Sequence, residues 1–94
     1  MQYEWDEKKC RQNVEKHGID FADVVYFDWH SALEIEDDRS NYGEKRIRAF
    51  GLLHNRLVVL VYTQRNSRIR LISLRKANQR EETAYHGHRD LLCG

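Results

Sequence analysis

Apolar residues recur along this chain with two different periods, and the change falls near Lys45. Before that point the spacing is mostly three and four. Tyr3-Glu4-Trp5 reads as a short strand, and Asp6 then suits a helix N-cap, its carboxylate accepting from backbone N–H groups that the first turn leaves unpaired. Trp5 and Cys10 stand where a hydrophobic staple would fix the entry of the chain. Cys10, Val14 and His17 share one helical face, and Gly18 suits the stop. The pattern then repeats. Asp20 is a second N-cap, Ile19 and Val24 form its staple pair, and Phe21, Val24, Val25 and Phe27 give a second helix its apolar face. Asp28 to Ser31 reads as a turn, Ala32 to Ile35 as a short edge strand, and Glu36 to Gly43 as an exposed polar loop.

From Lys45 the period is two. Arg46, Arg48 and Phe50 alternate with Ile47, Ala49 and Gly51, the pattern of a half-buried strand. His54-Asn55-Arg56 makes a hairpin connection. Leu57 to Tyr62 is apolar throughout and predicts a central strand covered on both faces. Gln64 to Ser67 turns. Ile69 to Leu74 is the next strand, with Arg68 and Arg70 on the face opposite Ile69 and Leu71. Asn78-Gln79-Arg80-Glu81 has the form of a capping box, so a last helix starts there or nearer Lys76, and is expected to stop at Gly87. The order β-α-α-(β)-β-β-β-α predicts an α+β fold: an antiparallel meander with two N-terminal helices and one C-terminal helix. The helices are expected on one face, leaving the other open and rich in arginine. One domain is expected over residues 1–94, its tail 87–94 frayed or ordered by a partner.

Composition narrows the classes. With 40% hydrophobic and 33% charged residues, the chain is not of the disordered type. No apolar run approaches the roughly 20 residues of a membrane span. The start of the chain lacks a basic segment followed by an apolar one, so a cytoplasmic protein is expected, with Cys10 and Cys93 as reduced thiols. Net charge is +1, but unevenly spread. Residues 1–44 hold five basic and twelve acidic side chains, and residues 45–94 hold eleven and three. Either the halves neutralise each other across the fold, or the basic half meets a nucleic acid.

The chemistry-bearing residues are few. His86 and His88 lie near the end of the chain without a cysteine or carboxylate cluster at ligand spacing, so no metal site is predicted. There is no glycine-rich phosphate loop and no GxSxG elbow. The arginines say more. Arg46, Arg48, Arg65, Arg68, Arg70 and Arg75 fall on or beside neighbouring predicted strands. Guanidinium groups recognise phosphate through planar paired hydrogen bonds, and Phe50 and Tyr62 nearby offer faces for unpaired bases. A solvent-exposed strand face would show the same alternation. His17 titrates near neutrality or simply complements the end of its helix. Glu44 is a base held by Arg46 or an ordinary surface pair.

Motifs in order along the chain carry a resemblance. Tyr3-Glu4-Trp5-Asp6 opens it. Asn13, Lys16-His17-Gly18-Ile19 and Phe21 follow, then Tyr42-Gly43-Glu44-Lys45-Arg46 and Val61-Tyr62-Thr63-Gln64-Arg65. Ile69-Arg70-Leu71-Ile72-Ser73-Leu74-Arg75-Lys76-Ala77 comes next, with Arg80, Glu81 and Tyr85 at the start of the last helix. From Tyr3 to Tyr85 the chain resembles the BrnT family, the toxin halves of type II toxin–antitoxin pairs. Many members carry a histidine shortly before the Gly-Glu-x-Arg element, where this chain has Ser40 and Asn41.

The resemblance implies a fold like that of RelE-type ribonucleases and RNA cleavage without metal or other cofactor, by attack of the ribose 2′-OH on the adjacent phosphate. Arg46 and Arg70 are then expected to stabilise the phosphate, with His17, Glu44 and Tyr62 as proton-transfer or orienting groups. Arg48, Arg65, Arg68, Arg75 and Lys76 are expected to bind the rest of the RNA. The implied partner is a BrnA-like ribbon-helix-helix antitoxin in a hetero-oligomer, with DNA reached only through that antitoxin and no membrane involved. The alternative is a non-catalytic RNA- or protein-binding module of the same fold.

Overall fold

The computed structural model describes residues 2–39 and 41–93. Ser40 lies outside the described residues, as does Gly94 at the end of the expected tail; the Cys93 thiol lies outside the described side chains. The elements are β1 (Gln2–Glu4), α1 (Glu7–His17), a 3-10 helix (Phe21–Tyr26), β2 (Leu33–Asp37), β3 (Arg46–Leu53), β4 (Arg56–Arg65), β5 (Arg68–Lys76) and α2 (Gln79–Cys93). The five strands form one sheet in the order β1-β5-β4-β3-β2.

The caps act as the sequence predicts. Asp6 accepts from the Lys8 N–H, and Gly18 ends α1 in the left-handed region at φ 71°, its N–H bonding to the Val14 carbonyl. The second N-terminal segment differs. It is a 3-10 helix rather than an α-helix, although Asp20 caps it through the Ala22 N–H. The reason is in the spacing. Phe21, Val24 and Phe27 are buried at intervals of three, the period of a 3-10 helix, while Val25 is exposed. Six residues with two adjacent β-branched valines are also too few to sustain an α-helix on their own.

The sheet is mixed, not a pure antiparallel meander. β2 to β5 pair antiparallel in sequence order, but β1 lies parallel to β5, with Tyr3 opposite Ile69 and Glu4 opposite Arg70. Two-residue turns join β3 to β4 at His54-Asn55 and β4 to β5 at Asn66-Ser67. All four residues have positive φ, the hairpin geometry that matches strand twist. β1 covers only the first third of the outer edge of β5. Beyond it, Asn13 of α1 occupies the edge. Its side-chain amide donates to the Leu74 carbonyl (2.8 Å) and accepts from the Leu74 N–H (3.1 Å), as a neighbouring strand would. The same amide donates to the Ile19 carbonyl at 2.9 Å.

Two apolar clusters fill the two faces. Cys10, Phe21, Val24 and Phe27 pack on Ala49, Leu53, Leu60, Leu71 and Leu74. On the other face Phe50, Leu57 and Val59 meet Tyr85 of α2. The helices are therefore not all on one side: α2 covers part of the face expected to be open. Its N-terminus is the predicted capping box, with reciprocal bonds between Asn78 and Glu81. Gly87 does not end it, and the helix continues to Cys93. A glycine costs a helix interior only about 1 kcal/mol. No described helix is long and apolar enough to cross a membrane.

Candidate functional site

The register of the sheet decides which arginines share a face. Arg48 lies opposite Val61, which lies opposite Ser73; Val59 lies opposite Arg75, Thr63 opposite Arg70, and Arg65 opposite Arg68. Arg46 is two residues from Arg48. All six arginines therefore project to one face, the one that carries Phe50 and Tyr85. For Arg75 this requires an irregularity. Arg68 and Arg70 are even-numbered and Arg75 is odd, so strict alternation would separate them. The register shift opposite Val61/Tyr62 inserts Ile72 as an extra residue and returns Arg75 to their side.

One row across this face is chemically distinctive. Asp37 is opposite Arg46, Thr63 is opposite Arg70, and Arg70 is opposite Glu4. Continuing the β3–β4 register by one step sets Arg46 beside Thr63. Arg46 and Arg70 thus flank Thr63 from the two neighbouring strands, roughly 10 Å apart at the backbone. Thr63 is buried and its hydroxyl donates to the Lys45 carbonyl, which ties the loop before β3 to β4.

Each of these guanidinium groups already has company. Arg46 bonds Glu44 (3.2 Å) and lies over the Tyr42 ring, 4.0 Å from its centroid. Arg70 bonds Glu4 at 2.8 Å, and Arg68 bonds Gln2. Arg75 makes a two-pronged pair with Glu81, both contacts at 2.8 Å. This pairing raises the arginine pKa and lowers that of the carboxylate. Arg48 points its guanidinium toward the Phe50 ring, and its Nε is enclosed without a hydrogen-bond partner. Asp37 is buried beneath Arg39, which grips it through Nε and an Nη at 2.7 and 2.8 Å. That grip, with the Arg39 N–H and the Tyr42 hydroxyl, holds the carboxyl down at about 2.

Tyr62 is not on this face. It lies opposite Ile47 and Leu71, is buried, and packs its ring edge-to-face on Trp29, which itself donates to the Tyr3 hydroxyl. Its own hydroxyl donates to Glu34. Burial and this bond push the phenol well above its ordinary pKa, so it keeps its proton at neutral pH. Tyr62 still meets two other predicted site residues around the end of the sheet. Glu44, Lys45, Tyr62, Thr63, Gln64 and Arg65 line an open depression of about 500 Å³.

His17 stands apart. It is half-buried at the end of α1, and Gly18 beside it lines a recess with Arg56 and Lys76. Burial, with Lys16 and Arg75 nearby, lowers its pKa. Lys76 is six positions beyond Arg70 on β5, roughly 20 Å of strand. The register also turns Lys76, opposite Val58, to the face away from the arginines. The predicted residues thus fall at two ends of the sheet. Glu44, Arg46, Arg65, Arg68, Arg70 and, from behind, Tyr62 are at one end; His17, Arg75 and Lys76 are at the other, with Arg48 between. The partners Glu4, Glu34, Tyr42 and Glu81 escaped sequence reasoning. Only the capping-box role of Glu81 was visible there. Among the described residues no three His, Cys, Asp or Glu side chains group as metal ligands.

The structure is thus a small α+β domain with a five-stranded mixed sheet and ion-paired arginines on one face. The family comparison is specific: residues 5–81 match the model for "Ribonuclease toxin, BrnT, of type II toxin-antitoxin system", and the chain belongs to that family. The family's members are ribonuclease toxins whose type II systems pair a toxin with an antitoxin. A search of curated proteins finds no match.

Proposed function

We propose that the open end of the arginine face binds an RNA strand and cuts it without a metal, on a fold of the RelE type. The observation that carries this is the row in which Arg46 and Arg70 flank Thr63. A phosphate above Thr63 meets guanidinium groups from both sides, where negative charge grows as the 2′ oxygen attacks phosphorus. The 2′-O–P bond forms and the P–O5′ bond breaks. One proton leaves the 2′ hydroxyl for a base, and another reaches the departing 5′ oxygen. The products are a 2′,3′-cyclic phosphate and a 5′ hydroxyl. Glu44, held by Arg46, is the carboxylate placed to take the first proton. Tyr62 orients Glu34 and the end of the sheet from behind. Arg48, Arg65 and Arg68 hold flanking phosphates, and Arg75, Lys76 and His17 stand further along the strand's path. A BrnA-like ribbon-helix-helix antitoxin would neutralise the toxin as a hetero-oligomer by covering the same arginines with acidic side chains.

The second reading is a binding module without catalysis. It is favoured by one fact: Arg46, Arg68 and Arg70 each already bond a neighbour within the chain, which reduces their free charge. One assay separates the two. Purified protein is incubated with end-labelled RNA in a metal chelator. Fragments ending in cyclic phosphate are expected, and Arg70→Ala should slow their appearance by about 10²–10³-fold. Binding without fragments would favour the module. Full cleavage by folded Arg70→Ala would refute the assignment of the row.

A further inference from the structure

The far end of the sheet carries a feature that the cleavage row does not use. Gly18, Ile19 and Asp23 from the α1 exit face Leu53, His54, Arg56, Val58 and Lys76, and together they line an open recess of about 330 Å³. Arg56 and Lys76 are exposed cations, and the half-buried His17 adjoins Gly18. Asp23 is the one acidic residue of the lining. At the rim Tyr26 is 63% exposed, and its ring lies against the His54 imidazole, centroids 5.0 Å apart and 42° between planes. The neighbouring imidazole is the ring's aromatic partner. His54 itself sits in the left-handed turn between β3 and β4.

We propose that this recess is a second contact point for the RNA strand. Arg56 and Lys76 take a phosphate, and the Tyr26–His54 pair takes an unpaired base. The inference rests on the ribonuclease reading and extends it by giving the RNA a path. That path runs from the Arg46–Arg70 row, past Arg48 and Arg75, and over the end of β5 at Lys76. Adjacent residues of a strand point to opposite faces, so Arg75, paired with Glu81, and the exposed Lys76 stand on the two sides of the sheet end. A cation pair beside an exposed aromatic ring is the arrangement that grips single-stranded nucleic acid without sequence preference. A cation would be repelled here, and an acidic protein segment would leave the ring unused.

The geometry fixes the length dependence. The two contact points are roughly 20 Å apart along β5. A stacked trinucleotide spans about 10 Å, and a twelve-nucleotide strand about 40 Å. The probes are 2′-O-methyl oligonucleotides of three and twelve residues, which cannot be cleaved by 2′ attack. Affinity is read by fluorescence anisotropy as a function of salt. Both Tyr26→Ala and Arg56→Ala change exposed side chains, and circular dichroism checks that each variant is folded. The double variant should bind the twelve-mer about tenfold more weakly, with a shallower salt dependence, and the trinucleotide as the parent does. Arg70→Ala should weaken both probes. Parent-like affinity of the double variant for the twelve-mer, while Arg70→Ala weakens it, overturns the second contact and leaves the ribonuclease reading standing. Equal weakening for both lengths also overturns it, since the recess would then not be a separate point. A double variant that keeps the twelve-mer but loses a purified antitoxin assigns the recess to the protein partner instead. If the parent binds neither probe and cleaves no RNA, the ribonuclease reading itself fails.

Discussion

Replacing Asn13 with alanine should be among the most damaging single changes away from the proposed site. The side chain is buried and makes three hydrogen bonds: to the Ile19 carbonyl, the Leu74 carbonyl and the Leu74 N–H. Alanine leaves all three backbone groups without a partner where α1 covers the edge of β5. An orphaned buried polar group costs about 1–3 kcal/mol. Taking the lower figure for each, because water can enter at a sheet edge, gives a loss of about 3 kcal/mol. A domain of this size has roughly 5–14 kcal/mol in all. With a urea m-value of about 1.5 kcal/mol/M, the unfolding midpoint should fall by about 2 M. Asn13→Asp is the sharper control. It keeps the acceptor for Leu74 N–H but sets a carboxylate against two carbonyl oxygens, so it should be less stable than the alanine variant at neutral pH. Amide exchange at Leu74 should accelerate in both. A midpoint shift below about 0.5 M in Asn13→Ala, or an Asn13→Asp protein as stable as the parent, would refute the strand-mimic account.

Two further predictions concern stability. Asp37 falls from its usual 3.8 to about 2. A depressed carboxyl stabilises the fold above pH 4, and that contribution is lost as pH drops toward 2. Nearly two units correspond to about 2 kcal/mol, which we discount to about 1 because the Arg39 side chain is 58% exposed. Asp37→Asn should flatten the fall in urea midpoint between pH 4 and pH 2, and an unaltered fall would show that other carboxyls carry it. Gly51→Ala would place a Cβ 2.6 Å from Phe27 Cζ and 3.2 Å from Ala32 Cβ. The ring is packed edge-on against Trp29, so the crowding should cost about 1–3 kcal/mol by thermal unfolding, and Phe27→Leu in the same chain should recover part of it.

How much of this was legible depended on whether phase could be read locally. Arg46 to Gly51 alternates, and the structure keeps that alternation. Leu57 to Tyr62 is apolar at every position, so nothing in it says which face Tyr62 takes; the pairing with Ile47 does. Arg75 joined Arg68 and Arg70 only through the extra residue in β5, a feature with no glycine or proline to announce it. The parallel pairing of β1 depends on residues 66 positions away, as do Glu4–Arg70 and Gln2–Arg68. The caps at Asp6, Gly18, Asp20 and Asn78, set by neighbours within four residues, were readable, whereas the stop expected at Gly87 was not made. The second helix was misread because Phe21, Val24 and Phe27 satisfy a period of three almost as well as one of 3.6.

The β2 edge has a consequence for behaviour at high concentration. An unpaired strand invites a second chain to extend the sheet, the first step of many aggregates. Here the strand reads Leu-Glu-Ile-Glu-Asp, and every second residue of its central stretch is a glutamate. Glu34 stays exposed while bonding the Tyr62 hydroxyl, and Asp37 is locked under Arg39. Another copy docking along this edge would bring carboxylates against carboxylates, with Glu34 and Asp37 committed to bonds within their own chain. The carboxylates of β2 thereby guard the sheet against growing beyond its own five strands.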